Sequence, residues 1–136
     1  MQLPTDVEYA IRILLYVYKH EGGLLTIAEI VTATGITQVG VTRLAPMLAG
    51  SGLLNSVRGR NGGYAPGRHI DEISLYDVYM ATEGDLQIRA CMQDGQRCTK
   101  NDPDTCDIHS FFCELQDAMI MELKETSIAD LASGPP

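Results

Sequence analysis

Residues Thr26 to Tyr64 read TIAEIVTATGITQVGVTRLAPMLAGSGLLNSVRGRNGGY, and this stretch decides the fold. Thr26-Ile-Ala-Glu29 has the form of a capping box, a hydroxyl residue with an acid three positions on. It opens a short helix that Gly35 stops as a left-handed C-cap. Thr37 caps the next helix, which runs to about Ala49 and ends at Gly50 and Gly52. Pro46 lies inside it, where it removes a hydrogen bond and can kink the helix. Leu53–Val57 reads as a strand, Arg58–Gly63 as a glycine-rich turn and Tyr64–Pro66 as a return strand. Two helices joined through a glycine turn, then a glycine-tipped hairpin, make a winged helix-turn-helix.

Outward from this core the chain is mainly helical. Thr5-Asp-Val-Glu8 reads as a second capping box, opening a helix to about His20 that Glu21-Gly22-Gly23 ends. Its apolar positions include Val7, Ala10, Ile11, Leu14, Leu15 and Tyr18. Ser74-Leu-Tyr-Asp77 opens a fourth helix ending near Gly84. Leu86–Ala90 reads as a possible strand and residues 91–105 as a loop without apolar periodicity. Asp107–Glu125 is a long helix with Ile108, Phe111, Phe112, Leu115, Met119 and Leu123 on its apolar face. Ser127–Ala132 is a short final helix and Ser133–Pro136 a frayed tail. The organisation expected is a winged helix-turn-helix domain over 1–84, a cysteine-containing loop over 85–106, and a long helix and tail over 107–136.

The 136 residues are 45% hydrophobic, enough for a single well-packed domain. No apolar run approaches the roughly 18 residues of a membrane span, and the N-terminus lacks the pattern of a secretory signal. A cytoplasmic location is expected. The net charge of −8 argues against indiscriminate nucleic-acid binding by the whole chain. Yet residues 37–70 hold Arg43, Arg58, Arg60, Arg68 and His69 and no Asp or Glu. A basic segment on an acidic chain can dock on phosphates, with salt-sensitive binding to random DNA.

Within that segment the second helix of the pair is the one that enters a major groove. Its early positions Thr37, Gln38, Gly40, Thr42 and Arg43 are read as exposed. Gln and Arg pair bidentately with adenine and guanine edges, and small residues let the backbone approach. On the hairpin tip, Arg58 and Arg60 with Asn61 can reach phosphates or a narrow minor groove. The plain alternative is a surface turn with solvated arginines.

Val57-Arg58-Gly59-Arg60-Asn61-Gly62-Gly63-Tyr64 resembles the wing of the IscR/NsrR/CymR/RirA family of winged helix-turn-helix transcription regulators. Tyr9-Ala10, Gly50-Ser-Gly-Leu-Leu54 and Ser127-Ile-Ala-Asp-Leu131 extend the resemblance over nearly the whole chain. The resemblance implies a homodimer, crossed at the long helix, that reads an inverted-repeat operator. It also implies either a 2Fe-2S or 4Fe-4S cluster, or sensing through thiols or a small ligand without one. Gly40, Thr42 and Pro46 depart from the family's recognition helix, and the cysteine spacing is longer than its common C-x5-C-x5-C.

The cysteines run Cys91-x6-Cys98-x7-Cys106-x6-Cys113, with His109 between the last two. Such clustering in a cytoplasmic chain points to metal or redox chemistry. Thiolates suit iron–sulfur clusters and zinc. The start of the long helix favours the thiolate form of Cys106, and Cys106, His109 and Cys113 share one side of that helix. Zinc sites favour closer cysteine pairs, and a disulfide needs Cα atoms within ~7 Å. By resemblance, Cys91, Cys98 and Cys106 match the family's cluster cysteines. Candidates for the fourth ligand are His109, Glu8 of the other subunit, and Cys113. Arg12 stands where one family pattern has a histidine. Each candidate has a plainer role: Glu8 in a cap, His109 on the surface, Cys113 as a small core hydrophobe. No Ser/His/Asp set, phosphate loop or HExxH accompanies the cysteines, so an enzyme is not expected.

Overall fold

The computed structural model describes residues 3–20, 23–88 and 107–134. The order of elements is α1 (Thr5–Lys19), α2 (Ile27–Thr34), α3 (Gln38–Gly50), β1 (Leu54–Val57), β2 (Gly63–Pro66), a 3-10 turn (Ile70–Glu72), α4 (Leu75–Glu83), α5 (Asp107–Glu125) and α6 (Ile128–Ala132). The described residues are mainly helical with one antiparallel hairpin, the winged helix-turn-helix that the sequence predicts.

Helix α1 is the centre of the packing. Val7, Ala10, Ile13, Leu14 and Val17 recur at helical spacing and are buried. Ile11, Leu15 and Tyr18 flank this stripe and are partly buried. Ile30 of α2, Val41, Leu44, Ala45 and Leu48 of α3, Leu54, Ile73, Val78 and Ile128 complete one continuous core. The expected capping box at Thr5 does not form. Pro4 takes the N-cap with φ −57° and ψ 137°, so Thr5 is already helical and its hydroxyl caps nothing. Glu8 turns to Arg12 instead, at 2.9 Å. The helix ends at Lys19; Glu21 and Gly22 of the expected stop lie outside the described residues.

The caps of the helix pair do form. Thr26 accepts a hydrogen bond from Glu29 N–H at 3.2 Å, the hydroxyl half of its box. Gly35 closes α2 in the left-handed region, φ 75°, donating to Val31 O. Thr37 accepts from Gly40 N–H at 3.1 Å. Helix α3 runs on through Pro46, which is exposed. Ser74 and Asp77 form a full reciprocal capping box on α4, as Ser127 and Asp130 do on α6.

The hairpin pairs Leu54 with Pro66, Asn55 with Ala65, Ser56 with Tyr64 and Val57 with Gly63. Leu86–Ile88, expected to begin a strand, form none. Leu86 is buried, and Ile88 N–H donates to Gln116 Oε1 of α5 at 3.0 Å. Among the described residues the run has no strand beside it and is tied to a helix by a side chain instead. Ala90, like the loop over 91–105, lies outside the described residues.

Helix α5 spans the range read from its periodicity, but none of its residues is fully buried in the single chain. Ile108, Phe111 and Leu115 are exposed by 54%, 60% and 38%. Beyond it the chain returns to the core: Ile128 is wholly buried, and its N–H donates to Ile73 O at 2.8 Å. Ser133 N–H donates to Ala129 O and Gly134 N–H to Leu131 O; Pro135 and Pro136, the end of the expected tail, lie outside the described residues.

Candidate nucleic-acid interface and cysteine site

Helix α3 presents Thr37, Gln38, Val39, Thr42 and Arg43 to solvent. Gln38, Val39, Thr42 and Arg43 line one shallow concavity. Gly40, read as exposed, is buried: a Cβ there would stand 2.9 Å from Ile36 Cγ2 and 3.2 Å from Thr37 Oγ1. Its small size serves packing at the helix start. Val39 was missed by the sequence reading. It is 78% exposed, an apolar side chain on the outward side, the type that meets a thymine methyl. The signal was its displacement from the buried positions Val41, Leu44 and Leu48.

The wing is built by close backbone approach. A Cβ on Gly62 would lie 2.1 Å from Val57 O, and one on Gly63 would lie 2.6 Å from Leu25 O. Only glycine fits either place, because the obstructing atoms are backbone. Tyr18 holds the far end of the hairpin: its hydroxyl accepts from Arg68 N–H at 3.1 Å and contacts Arg68 O and Leu53 O. Burial pushes the Tyr18 phenol pKa up, so the neutral form that makes these bonds is favoured.

The basic stretch divides by partner. Arg43 Nη1 and Nη2 each donate to an Asp6 carboxylate oxygen at 2.7 Å. Arg68 lies 4.0 Å from Asp77, and His69 contacts Asp71. Arg58 and Arg60 are exposed and have no ion pair among the described residues. Asn61 beside them is also exposed. The wing tip therefore offers two exposed guanidinium groups with no ion pair among the described residues. A groove of about 610 Å³ separates it from the start of α2 and from Pro46.

The first helix reaches both helices of the pair. Arg12 bonds Glu8 at 2.9 Å and donates to Thr34 O, at the end of α2, at 3.3 Å. Asp6 reaches Arg43 on α3. The Arg43 guanidinium holds the Asp6 carboxyl below the usual carboxylate range. Glu8 is thus a partner of Arg12 and is exposed on the surface.

Of the cysteine window, Cys91, Cys98 and Cys106 lie outside the described residues. His109 and Cys113 are described, one turn apart on α5. His109 Nε2 stands 3.4 Å from Cys113 Sγ, and both are part-buried. A thiol and an imidazole brought together this way are a chemically suitable pair of donors for a cluster. Near the other end of α5, a largely apolar cavity of about 480 Å³ is lined by Leu3, Tyr79, Leu86, Met119 and Leu123.

A helix-turn-helix followed by a positively charged wing is the architecture of a DNA-binding transcription regulator. The family model described as "Rrf2: Iron-dependent Transcriptional regulator" matches residues 3–134, and the chain belongs to that family. It is 31% identical over 137 residues to "Protein aau3" of Rhizobium meliloti (strain 1021), covering 100% of this chain and 88% of that protein. It is 27% identical to the HTH-type transcriptional regulator NsrR of Shouchella clausii, covering 96% of this chain and 88% of the relative. The HTH-type transcriptional regulator IscR of Photorhabdus laumondii is 29% identical, with 98% and 80% covered. Among solved structures, CymR of B. subtilis superposes with a TM-score of 0.75 at 23% identity, covering 100% and 99%. IscR of T. potens gives 0.75 at 21%, covering 98% and 87%. At these identities the structures bear on the fold alone. Among the described residues no helix is long and apolar enough to cross a membrane.

Proposed function

We propose that the chain is a cytoplasmic, homodimeric repressor that binds an inverted-repeat operator and senses redox, iron–sulfur or nitrosative status through an iron–sulfur cluster. The observations that carry the DNA-binding reading are that Arg58 and Arg60 are exposed with no ion pair among the described residues, and that α3 exposes Gln38, Val39 and Thr42. Thr37, Gln38, Thr42 and Arg43 read base edges or phosphates from α3, Gly40 keeps the start of α3 tight against Ile36, and Arg58, Arg60 and Asn61 hold the backbone or minor groove from the wing. The exposed Ile108, Phe111 and Leu115 supply the apolar face on which two copies of α5 cross. The domain division follows: 1–84 binds DNA, 85–106 senses and 107–136 dimerises.

Support for the sensing half comes from the His109–Cys113 pair and from relatives named NsrR and IscR. Cys91, Cys98 and Cys106 would hold the cluster, with His109, Cys113 or the partner subunit's Glu8 as fourth ligand. When bound, the group supplies a centre whose oxidation state and integrity respond to oxidants and nitric oxide. The chain's own residues set the constraints. Glu8 is held by Arg12, so its use as a ligand requires that ion pair to open. Arg12 also touches the end of α2, so such opening is felt at the helix-turn-helix.

The test is anaerobic purification with iron and sulfide counting, repeated after changing each cysteine to serine. Bound iron and sulfide that vanish for Cys91, Cys98 and Cys106 variants support the reading. A colourless protein with titratable thiols contradicts it. A second reading, a regulator on the same scaffold that senses through thiols or a small ligand, is favoured by the 480 Å³ cavity beside α5. That reading expects the colourless outcome.

A further inference from the structure

We propose that Asp6 is an intramolecular competitor for Arg43, so that DNA must displace the Asp6 carboxylate before the guanidinium can reach a base edge or phosphate. The inference rests on the DNA-binding reading above. Arg43 lies on the solvent side of α3 and lines one concavity with Gln38, Val39 and Thr42, so it belongs to the recognition surface. Its Nη1 and Nη2 both point at Asp6, each at 2.7 Å from a carboxylate oxygen. These two donors form the edge that meets guanine O6 and N7, or two phosphate oxygens. A carboxylate presents the same pair of acceptors. One edge of a guanidinium cannot serve both at once.

The partner comes from far along the chain, 37 positions away, on the first turn of α1. The pair is well aligned yet open to water, with side chains 50% and 30% exposed. Exposed ion pairs of this kind hold their partners weakly, by a factor of about two to five. Asp6 is therefore displaceable by DNA that offers two acceptors in the right place. Against DNA that offers only a passing phosphate, it withholds one of the few positive charges on this face. Arg58 and Arg60 carry no such restraint among the described residues. The division makes the wing the general phosphate grip and Arg43 a conditional contact, which raises selectivity on a chain of net charge −8.

A double-mutant cycle on the full chain tests this, with Asp6→Ala, Arg43→Ala and their combination, and Asp6→Asn as a shape-preserving second variant. Affinity for a fluorescent duplex of arbitrary sequence is measured over a salt series, and thermal melts report folding. The proposal expects Asp6→Ala and Asp6→Asn to bind about twofold to fivefold tighter, with a salt slope steeper by about 0.9. The gain vanishes when Arg43 is also alanine. A gain that persists without Arg43 overturns the proposal, because it reports only the removal of a negative charge. Unchanged or weaker binding by both Asp6 variants, with wild type still sensitive to Arg58→Ala, overturns the competitor and leaves the DNA-binding reading standing. A wild-type chain that binds no duplex overturns both.

Discussion

Leu25 and Tyr64 exchange two backbone hydrogen bonds, Leu25 N–H to Tyr64 O at 2.9 Å and Tyr64 N–H to Leu25 O at 2.8 Å. The segment leading into α2 and the return strand of the wing are thereby one unit. Glycine at position 63 makes this possible, since a Cβ there would stand 2.6 Å from Leu25 O. Gly63→Ala is expected to break the bridge and lower stability by about 1–3 kcal/mol. Denaturant unfolding gives the loss, and faster amide exchange at Leu25 and Tyr64 locates it. A variant with wild-type stability and protection contradicts this account of the wing.

Arg58→Ala and Arg60→Ala are expected to leave the melting temperature unchanged, because neither side chain has an ion pair among the described residues. Each is expected to weaken DNA binding and, where it holds a phosphate, to reduce the salt slope by about 0.9. Anisotropy titrations across salt concentrations read both effects.

The Asp6 carboxyl is held below the usual carboxylate range, chiefly by its hydrogen bonds from Arg43. A depressed carboxylate pKa contributes stability that is present above the unfolded-state value and lost as pH falls through the folded one. Wild type is therefore expected to lose this contribution only on acidification below the ordinary carboxylate range. Arg43→Ala removes it at all pH values above that range. An NMR titration of Asp6 checks the cause: its midpoint rises in Arg43→Ala.

Phe111→Glu with Leu115→Glu places two charges on the exposed apolar face of α5. The pair is expected to shift the chain from dimer to monomer in sedimentation velocity. The fold of the single chain is expected to survive, because neither residue is fully buried in it. A double variant that sediments as wild type removes this face from the interface.

Much of the fold was legible because its determinants are local. Thr37, Gly35, Ser74 and Ser127 mark helix ends through bonds to residues within four positions. The glycine pair of the wing was legible as a turn; Gly62 is required by Val57 O within the hairpin, whereas the reason for Gly63, the nearness of Leu25 O, is tertiary. Where the sequence reading failed, a neighbour decided. Pro4 displaced Thr5 from the cap, and Leu86–Ile88 met a helix where a strand was expected. Gly40 turned inward because α3 packs Ile36 against its start. The Asp6–Arg43 pair spans 37 positions, and no local pattern announces it.

The central claim is that α3 and the wing together bind operator DNA. It is tested most directly by selecting duplexes from a random-sequence library with the full chain, then measuring their affinity for wild type and for Arg58→Ala/Arg60→Ala. An enriched pseudo-palindrome is expected, with half-site centres separated by about one helical turn or a multiple of it. The double variant is expected to lose about tenfold or more in affinity through its lost phosphate contacts. A library with no enriched sequence, or a double variant that binds as wild type does, contradicts the claim.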